Sequence, residues 1–280
     1  VKNGCQNKCF PVKRFHSGTI ILTLLLILQS QTVIGQSPYS LKNYREIILG
    51  GGGLVLVGFG QYLNGNNTPL TVNDIDQLSA EDVNCFDRNA LRKYSRNAAR
   101  LSDILLAATL ALPVSLFISE NVRNDFSTVG SMCAENLLLV NLFSLITRGS
   151  VRRIRPYVYN PNAPLEEKLS KGAAHSFYSG HTTNAFASAV FFSVVYSDYF
   201  PDSRWKTQVW IGSLGAASLV GYLRYRAGRH FPSDIITGVL VGSVIGFVVP
   251  YLHRQKNTDF SASRGYQSNT IALYLSFGLN

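Results

Sequence analysis

Six apolar stretches, each long enough for several helical turns, alternate with polar segments along the chain. They are Ile47–Leu63, Leu101–Ile118, Val129–Ile146, Thr182–Tyr196, Val209–Leu223 and Ile235–Tyr251. Each approaches the ~20 residues that a helix needs to cross a hydrocarbon core. The pattern predicts an all-α bundle of about six helices, with membrane spans as the leading reading. A soluble helical protein with buried helices of the same length is the alternative. Asp103, Glu135, Asn136 and Asn141 interrupt the apolar pattern and are expected to face the bundle interior, because polar groups are costly in lipid.

The connections differ in character. Asn64–Arg100 is acidic first and basic later, Arg148–Gly180 is basic and carries Pro156, Pro161 and Pro164, and Arg224–Ser233 is short and basic. Ahead of the six stretches, Lys13, Arg14 and His16 precede an apolar run over Thr19–Leu28 and then small and polar residues. This is the build of a signal peptide, with an uncleaved anchor as the alternative. The organisation expected is a targeting segment over 1–36, a first helix and long polar loop over 37–97, a core over 98–252 and a polar tail over 253–280. Within the tail, Ile271–Leu279 alternates like a strand.

Composition narrows the class. The chain is 46% hydrophobic and only 15% charged, against roughly 25% charged in typical soluble domains. Its formal net charge of +10 suits an anionic partner such as a phosphate ester or a lipid headgroup. Nucleic acid is disfavoured, since neither zinc-finger spacing nor a basic heptad region is present. Cys5, Cys9, Cys85 and Cys133 lack metal-ligand spacing and read as isolated thiols.

Three polar clusters sit at the ends of apolar stretches. The first runs from Arg148 to Arg155-Pro156, the second is Ser179-Gly180-His181, and the third contains Arg224, His230 and Asp234. Guanidinium groups match phosphate oxygens in a rigid fork and stabilise charge on a transferring phosphoryl group. Ser179 and Gly180 open a helix, where free N–H groups and the dipole favour an anion. Pro232 suits a first helical turn, which brings Asp234 near His230. Asp234 is then expected to accept the His230 ring N–H and free the other nitrogen to attack phosphorus. His181 can serve as general acid and then base. Each signal has a plainer reading alone. Arginines beside an apolar run often mark topology, a histidine near a helix end is often a cap, and His-x-x-x-Asp is half of a metal site. His175 lies close in sequence to His181, but six residues away across a Ser-Gly turn.

Together the clusters resemble the tripartite signature of the type 2 phosphatidic acid phosphatase superfamily: Lys-x6-Arg-Pro, Pro-Ser-Gly-His and Ser-Arg-x5-His-x3-Asp. The order and spacings agree over roughly residues 98–251, with Arg148, Tyr178 and Leu223 departing from the usual lysine, proline and serine. The resemblance implies a helical bundle and a metal-independent phosphatase without cofactor. It implies His230 as the phosphorylated nucleophile, Asp234 as its support and His181 as general acid. Arg148, Arg155, Ser179, Gly180 and Arg224 would bind phosphate. Soluble acid phosphatases and vanadate-dependent haloperoxidases share such a site.

The substrate expected is a lipid-linked phosphomonoester or pyrophosphate of the phosphatidate, isoprenyl pyrophosphate or lipid A type. A broad acid phosphatase on soluble esters and a non-catalytic lipid-phosphate binding or transport protein are the alternatives. The expected location is a bacterial inner membrane. The site is expected to face the periplasm, with Ile47–Leu63 lying along the surface because its four-glycine run weakens it as a helix; it faces the cytoplasm if the leader is cleaved and all six stretches cross.

Overall fold

A computed structural model of the chain describes residues 37–255 except 47, 49, 50, 66 and 67. The leader, Cys5, Cys9 and the strand-like segment of the tail lie outside the described residues. The described chain is helical and contains no strand, only isolated bridges between Tyr39 and Arg254 and between Arg153 and His175. Its helices are α1 (Asn43–Glu46), α2 (Gly52–Gly65), α3 (Val72–Asp76), α4 (Arg96–Ser115), α5 (Glu120–Asn124), α6 (Phe126–Ser150), α7 (Leu165–Lys168), α8 (Gly180–Tyr199), α9 (Lys206–Arg226) and α10 (Pro232–His253). The six long ones, α2, α4, α6, α8, α9 and α10, correspond to the six apolar stretches.

Local chemistry sets the helix ends that later form the site. Ser95 caps α4 by accepting the Ala98 N–H. Ser179 caps α8 by accepting the Thr182 N–H. Pro232 occupies the first turn of α10, and Asp234 reaches back to the Phe231 N–H. At the C-terminus of α9, Arg229 N–H bonds Arg224 O and Gly228 N–H bonds Tyr225 O. This is a Schellman ending, with Gly228 at φ +68° where the left-handed region excludes most side chains.

The central helix is α8, buried around nearly its whole circumference by Thr183, Phe186, Ala187, Val190, Phe191 and Val194 among others. It packs against α4, α6, α9 and α10. Contact with α10 runs through Gly238, Gly242 and Gly246, which let the two backbones meet. A Cβ at position 242 would sit 2.3 Å from the Thr183 carbonyl oxygen, and one at 246 would sit 2.5 Å from that of Ala187. Gly242→Val is therefore expected to destabilise the fold by about 1–3 kcal/mol, read as a lowered thermal midpoint in detergent. An unchanged midpoint would contradict this packing.

The outer surface is apolar while the interior holds small and polar side chains. Ile104, Val114, Ile118, Phe143, Ile211, Leu240 and Val244 are all exposed. Among the described residues, Arg96–Ile118, Phe126–Ser150 and Pro232–His253 are long and apolar enough to cross a membrane. α8 approaches them in length and fills the middle of the bundle instead, whereas α9 packs at its side and leaves Ile211, Leu219 and Tyr222 exposed. Shielded by neighbours, α8 carries Ser and Thr at buried positions.

One expectation is corrected. The part of Ile47–Leu63 that lies in the described helix Gly52–Gly65 does not lie across the end of the bundle. Its helix α2 runs parallel to α6, with Gly53 against Leu138, Gly60 against Leu145 and Leu63 against Gly149. Its glycines weaken the helix in isolation, yet here they allow side chains of α6 to approach closely.

The alternation of directions gathers three connections at one end. The C-termini of α2, α6 and α9 and the N-termini of α4, α8 and α10 meet there. The segments 68–95, 151–179 and 227–231 cover that end.

Candidate active site

The three sequence clusters converge at this end. Arg148 lies in the last turn of α6, Arg155 in the following loop, Gly180 and His181 in the first turn of α8, Arg224 in the last turn of α9, and His230 just before α10. The convergence is tight at Gly180, where an added Cβ would lie 2.3 Å from Arg148 Nη2 and 3.1 Å from Ser144 Oγ. Glycine here leaves room for the guanidinium to rest on the start of α8, and a side chain would displace it. The first-turn N–H groups of Gly180 and His181 have no acceptor within their own helix.

The arginines form a buried or half-buried cationic cage. Arg224 is 6% exposed and donates to Ser102 Oγ and Asp103 Oδ1, both at 3.3 Å. Arg155 donates to the His175 carbonyl at 3.3 Å, and its backbone is pinned to Ala173 O at 2.8 Å. The Nε donors of Arg155 and Arg224 are buried and have no protein acceptor among the described residues. Arg155 lies within electrostatic range of Arg148 and Arg229. Burial lowers its guanidinium to about 10, so it remains charged at neutral pH. Several like charges with unfilled donors are costly to bury without an anion to share.

His230 is 1% exposed. Its Nδ1 is 2.7 Å from the Ser176 carbonyl oxygen, which only accepts, so Nδ1 carries the proton and donates. Nε2 is therefore left with its lone pair. Burial pushes the imidazole down to about 3, against the opposing pull of Asp234. The depressed value has a consequence for stability. Between about pH 3 and 6.5 the unfolded chain binds a proton here that the folded chain does not, so stability rises with pH across this window. Acidification from about pH 6.5 to 5 is expected to remove roughly 1–2 kcal/mol through this residue. Chemical denaturation of the wild type and His230→Gln at both pH values reads the difference. An equal loss in both would contradict the assignment.

The role expected for Asp234 is corrected. Its carboxylate lies 3.8 Å from His230 Nδ1, too far for a hydrogen bond. As the third residue of α10 it is held by the Phe231 N–H at 2.9 Å and accepts the Ser176 hydroxyl at 2.6 Å. Arg153 also donates to it. Asp234 thus fixes the Ser176 segment, and the Ser176 carbonyl in turn fixes the histidine.

Ser179 also differs from expectation. Its hydroxyl caps α8 and pairs with Thr182 Oγ1 at 2.8 Å, and its N–H bonds the Asp234 carbonyl at 3.2 Å. Its groups serve the architecture of the helix start, and Gly180 and His181 present the free N–H groups. Tyr178, standing where the family signature has proline, is buried. His175 is half-buried, and its pKa is lowered by burial and by Arg155 and Arg148. It borders a depression lined by Gln61, Asn64 and Lys171.

Two residues that sequence reading missed complete the arrangement. Asp103, on the exposed face at the start of α4, lies 2.9 Å from His181 Nε2 and also accepts from Arg224. It was noted only as a polar break in an apolar stretch. Asp87, fully buried, accepts from Arg153 at 2.6 Å and from the Ser233 hydroxyl and N–H at 2.6 and 3.0 Å. It ties the long 68–95 segment to the start of α10. No local sequence signal marks it, since its partners lie 66 and 146 residues away.

Residues 129–258 match the family model described as the PAP2 superfamily. A lipid A 4'-phosphatase of Porphyromonas gingivalis is 27% identical over 143 residues, covering 50% of this chain and 57% of that protein. A probable diacylglycerol pyrophosphate phosphatase 1 of Schizosaccharomyces pombe is 32% identical over 97 residues, covering 33% of this chain and 35% of that protein. The chain thus spans between about a third and just over half of these two relatives. A transmembrane PAP2 type phosphatidylglycerolphosphate phosphatase from Bacillus subtilis, solved by crystallography, is 21% identical with a TM-score of 0.44. That comparison covers 71% of this chain and 94% of that one.

Proposed function

We propose that this chain, whose residues 129–258 match the PAP2 superfamily model, is a phosphatase acting on a lipid-linked phosphomonoester or pyrophosphate through a phosphohistidine on His230. The observation that carries this reading is the geometry of His230. Its Nδ1–H is locked to the Ser176 carbonyl, and the remaining lone pair belongs to an imidazole within electrostatic range of Arg155 and Arg224.

In the first step the Nε2 lone pair of His230 attacks phosphorus and an N–P bond forms. The P–O bond to the leaving group breaks, and protonated His181 gives its proton to the departing oxygen. Arg148, Arg155 and Arg224 hold the non-bridging oxygens as charge spreads over them, with the N–H groups of Gly180 and His181. In the second step neutral His181 takes a proton from water, the water oxygen attacks phosphorus, and the N–P bond breaks. Inorganic phosphate leaves and His230 recovers its lone pair. Asp103 orients His181 and stabilises its protonated form, because a carboxylate beside an imidazole favours the cation.

The lipid-linked substrate class is supported by the names of the relatives and by the apolar exterior of α4, α6 and α10. An acyl or isoprenyl tail would stay among those faces while the headgroup enters the arginine cage. Hydrolysis of phosphatidate, an isoprenyl pyrophosphate, lipid A and para-nitrophenyl phosphate, compared as kcat/KM, tests the class. A preference for the soluble aryl ester over every lipid would overturn it in favour of a broad acid phosphatase.

The proposed location is a bacterial inner membrane with the site facing the periplasm. This orientation requires α2, which parallels α6, to begin on the cytoplasmic side, and it places Arg204 and Lys206 of the short connection between α8 and α9 there, while the arginines of the equally short Arg224–Ser233 connection serve the substrate anion. Cations in short loops collect on the cytoplasmic side. An alkaline phosphatase reporter fused between Pro201 and Arg204 should be inactive, and an active fusion would reverse the orientation.

A further inference from the structure

The end of the bundle remote from the site holds a second set of ionisable side chains that the phosphatase reading does not use. Glu46 of α1, Glu135 of α6 and His253 in the last turn of α10 bring one ligand-type atom each within 4.8 Å of one another. His253 is fully buried and Glu135 is 8% exposed. From Asp234 to His253, α10 rises about 28 Å at roughly 1.5 Å per residue, which separates this cluster from the active site.

The tautomer of His253 makes the cluster unusual. Its Nδ1 lies 2.8 Å from the Val249 carbonyl oxygen, so Nδ1 carries the proton and donates. In the neutral ring, Nε2 then presents a lone pair to carboxylate oxygens. Glu135 Oε2 is at 3.2 Å, Glu46 Oε1 at 3.3 Å and Glu46 Oε2 at 3.4 Å. Glu135 Oε2 is itself buried without a hydrogen-bond partner. Arg45 donates to Glu46 Oε1 at 3.2 Å, where the Lys42 N–H also binds, so this oxygen is already partnered and Glu135 Oε2 is the one left without a donor. A lone pair facing two carboxylates away from water is relieved by a positive centre between them, a shared proton or a metal ion.

The spacing fits a metal ion. Ligand atoms placed tetrahedrally around zinc at about 2.0–2.2 Å stand roughly 3.3–3.6 Å apart, close to the separations from His253 Nε2. One imidazole and two carboxylates suit a first-row divalent cation. A backbone carbonyl holding the far ring nitrogen is the usual outer support of a metal-binding histidine. We propose that Glu46, Glu135 and His253 bind one zinc-class divalent cation, which clamps the segment around α1 to α6 and α10. The same segment is already docked there by Ser40 N–H to His253 O at 2.8 Å, Gln255 N–H to Pro38 O at 3.0 Å and Tyr39 OH to Asp198 Oδ2 at 2.5 Å. The cation would have a structural role, since a group that binds only the folded form stabilises it.

The full chain, purified in detergent and stripped with a chelator, is titrated with zinc and with cobalt(II). The expected result is one equivalent of zinc per chain by elemental analysis, a visible cobalt spectrum of tetrahedral intensity displaced by zinc, and a raised thermal midpoint. Glu46→Gln and His253→Gln should bind at least tenfold more weakly and lose the midpoint shift, while His181→Ala and His230→Ala should keep both. Glu46 is half-buried at the rim, so its variant tests the site with least disturbance to the core. Failure of the wild type to take up zinc or shift its midpoint would show a proton-sharing cluster and overturn the proposal. Uptake unchanged in Glu46→Gln and His253→Gln, or lost in the two active-site variants, would overturn it as well.

Discussion

Replacing His230 with alanine is expected to lower turnover by on the order of 10⁴-fold or more, the scale on which removal of a covalent nucleophile acts. The substitution deletes the only protein atom in the scheme that bonds to phosphorus, while Arg148, Arg155, Arg224 and the start of α8 are left to bind substrate. KM, or binding of inorganic phosphate, should therefore change far less than kcat. Loss of the ring also leaves the Ser176 carbonyl without its donor, which costs about 1–3 kcal/mol of stability. A thermal melt separates this effect from loss of chemistry. Acid quenching with a ³²P-labelled substrate should trap label on the wild type and none on His230→Ala. Retention of a tenth of wild-type turnover by a folded variant would remove His230 from its assigned role.

The second large effect is expected at His181. Alanine there should slow phosphoryl transfer by about 10²–10⁴-fold for an alkyl phosphate, the contribution of a positioned general acid. For para-nitrophenyl phosphate the loss in the first step should be much smaller, because its leaving group needs little protonation. Asp103→Asn should reproduce the same leaving-group pattern at reduced size, on the order of tenfold, since it keeps the hydrogen bond but removes the charge that favours protonated His181. The exposed position of Asp103 moderates the effect through solvent screening. Equal losses with both substrates would mean that His181 does not act as the acid. A loss at Asp103 confined to KM would assign it to holding Arg224 alone.

The expectation that failed most instructively concerns Asp234. The i, i+4 spacing correctly brings it near His230, and Pro232 correctly starts the helix. At that same helix start, however, the Phe231 N–H lies within reach of the carboxylate and takes one of its oxygens. The Ser176 hydroxyl and Arg153 take the rest of its capacity. Spacing predicts proximity, whereas competition among donors decides the bond. Ser179 follows the same rule, its hydroxyl drawn into capping α8. For Ile47–Leu63 the glycines weaken the helix and favour a surface position, but Gly53 and Gly60 are where α2 meets Leu138 and Leu145.

Amino-acid order alone determined the six helices and the chemical inventory at their ends, because helix periodicity and capping act over three to four residues. It also determined that Arg148, Arg155, His181, Arg224 and His230 stand near helix termini, where a bundle of alternating direction brings them to one end. Tertiary structure decided which atoms meet. It chose the Ser176 carbonyl, 54 residues before His230, as the acceptor, and Asp103, 78 residues before His181, as the carboxylate. It also buried Asp87 against Ser233 and joined Glu46 to His253 across 207 residues. Such pairings depend on the rotation and approach of whole helices, which arise from packing summed over the bundle and leave no trace in the spacing of neighbouring residues.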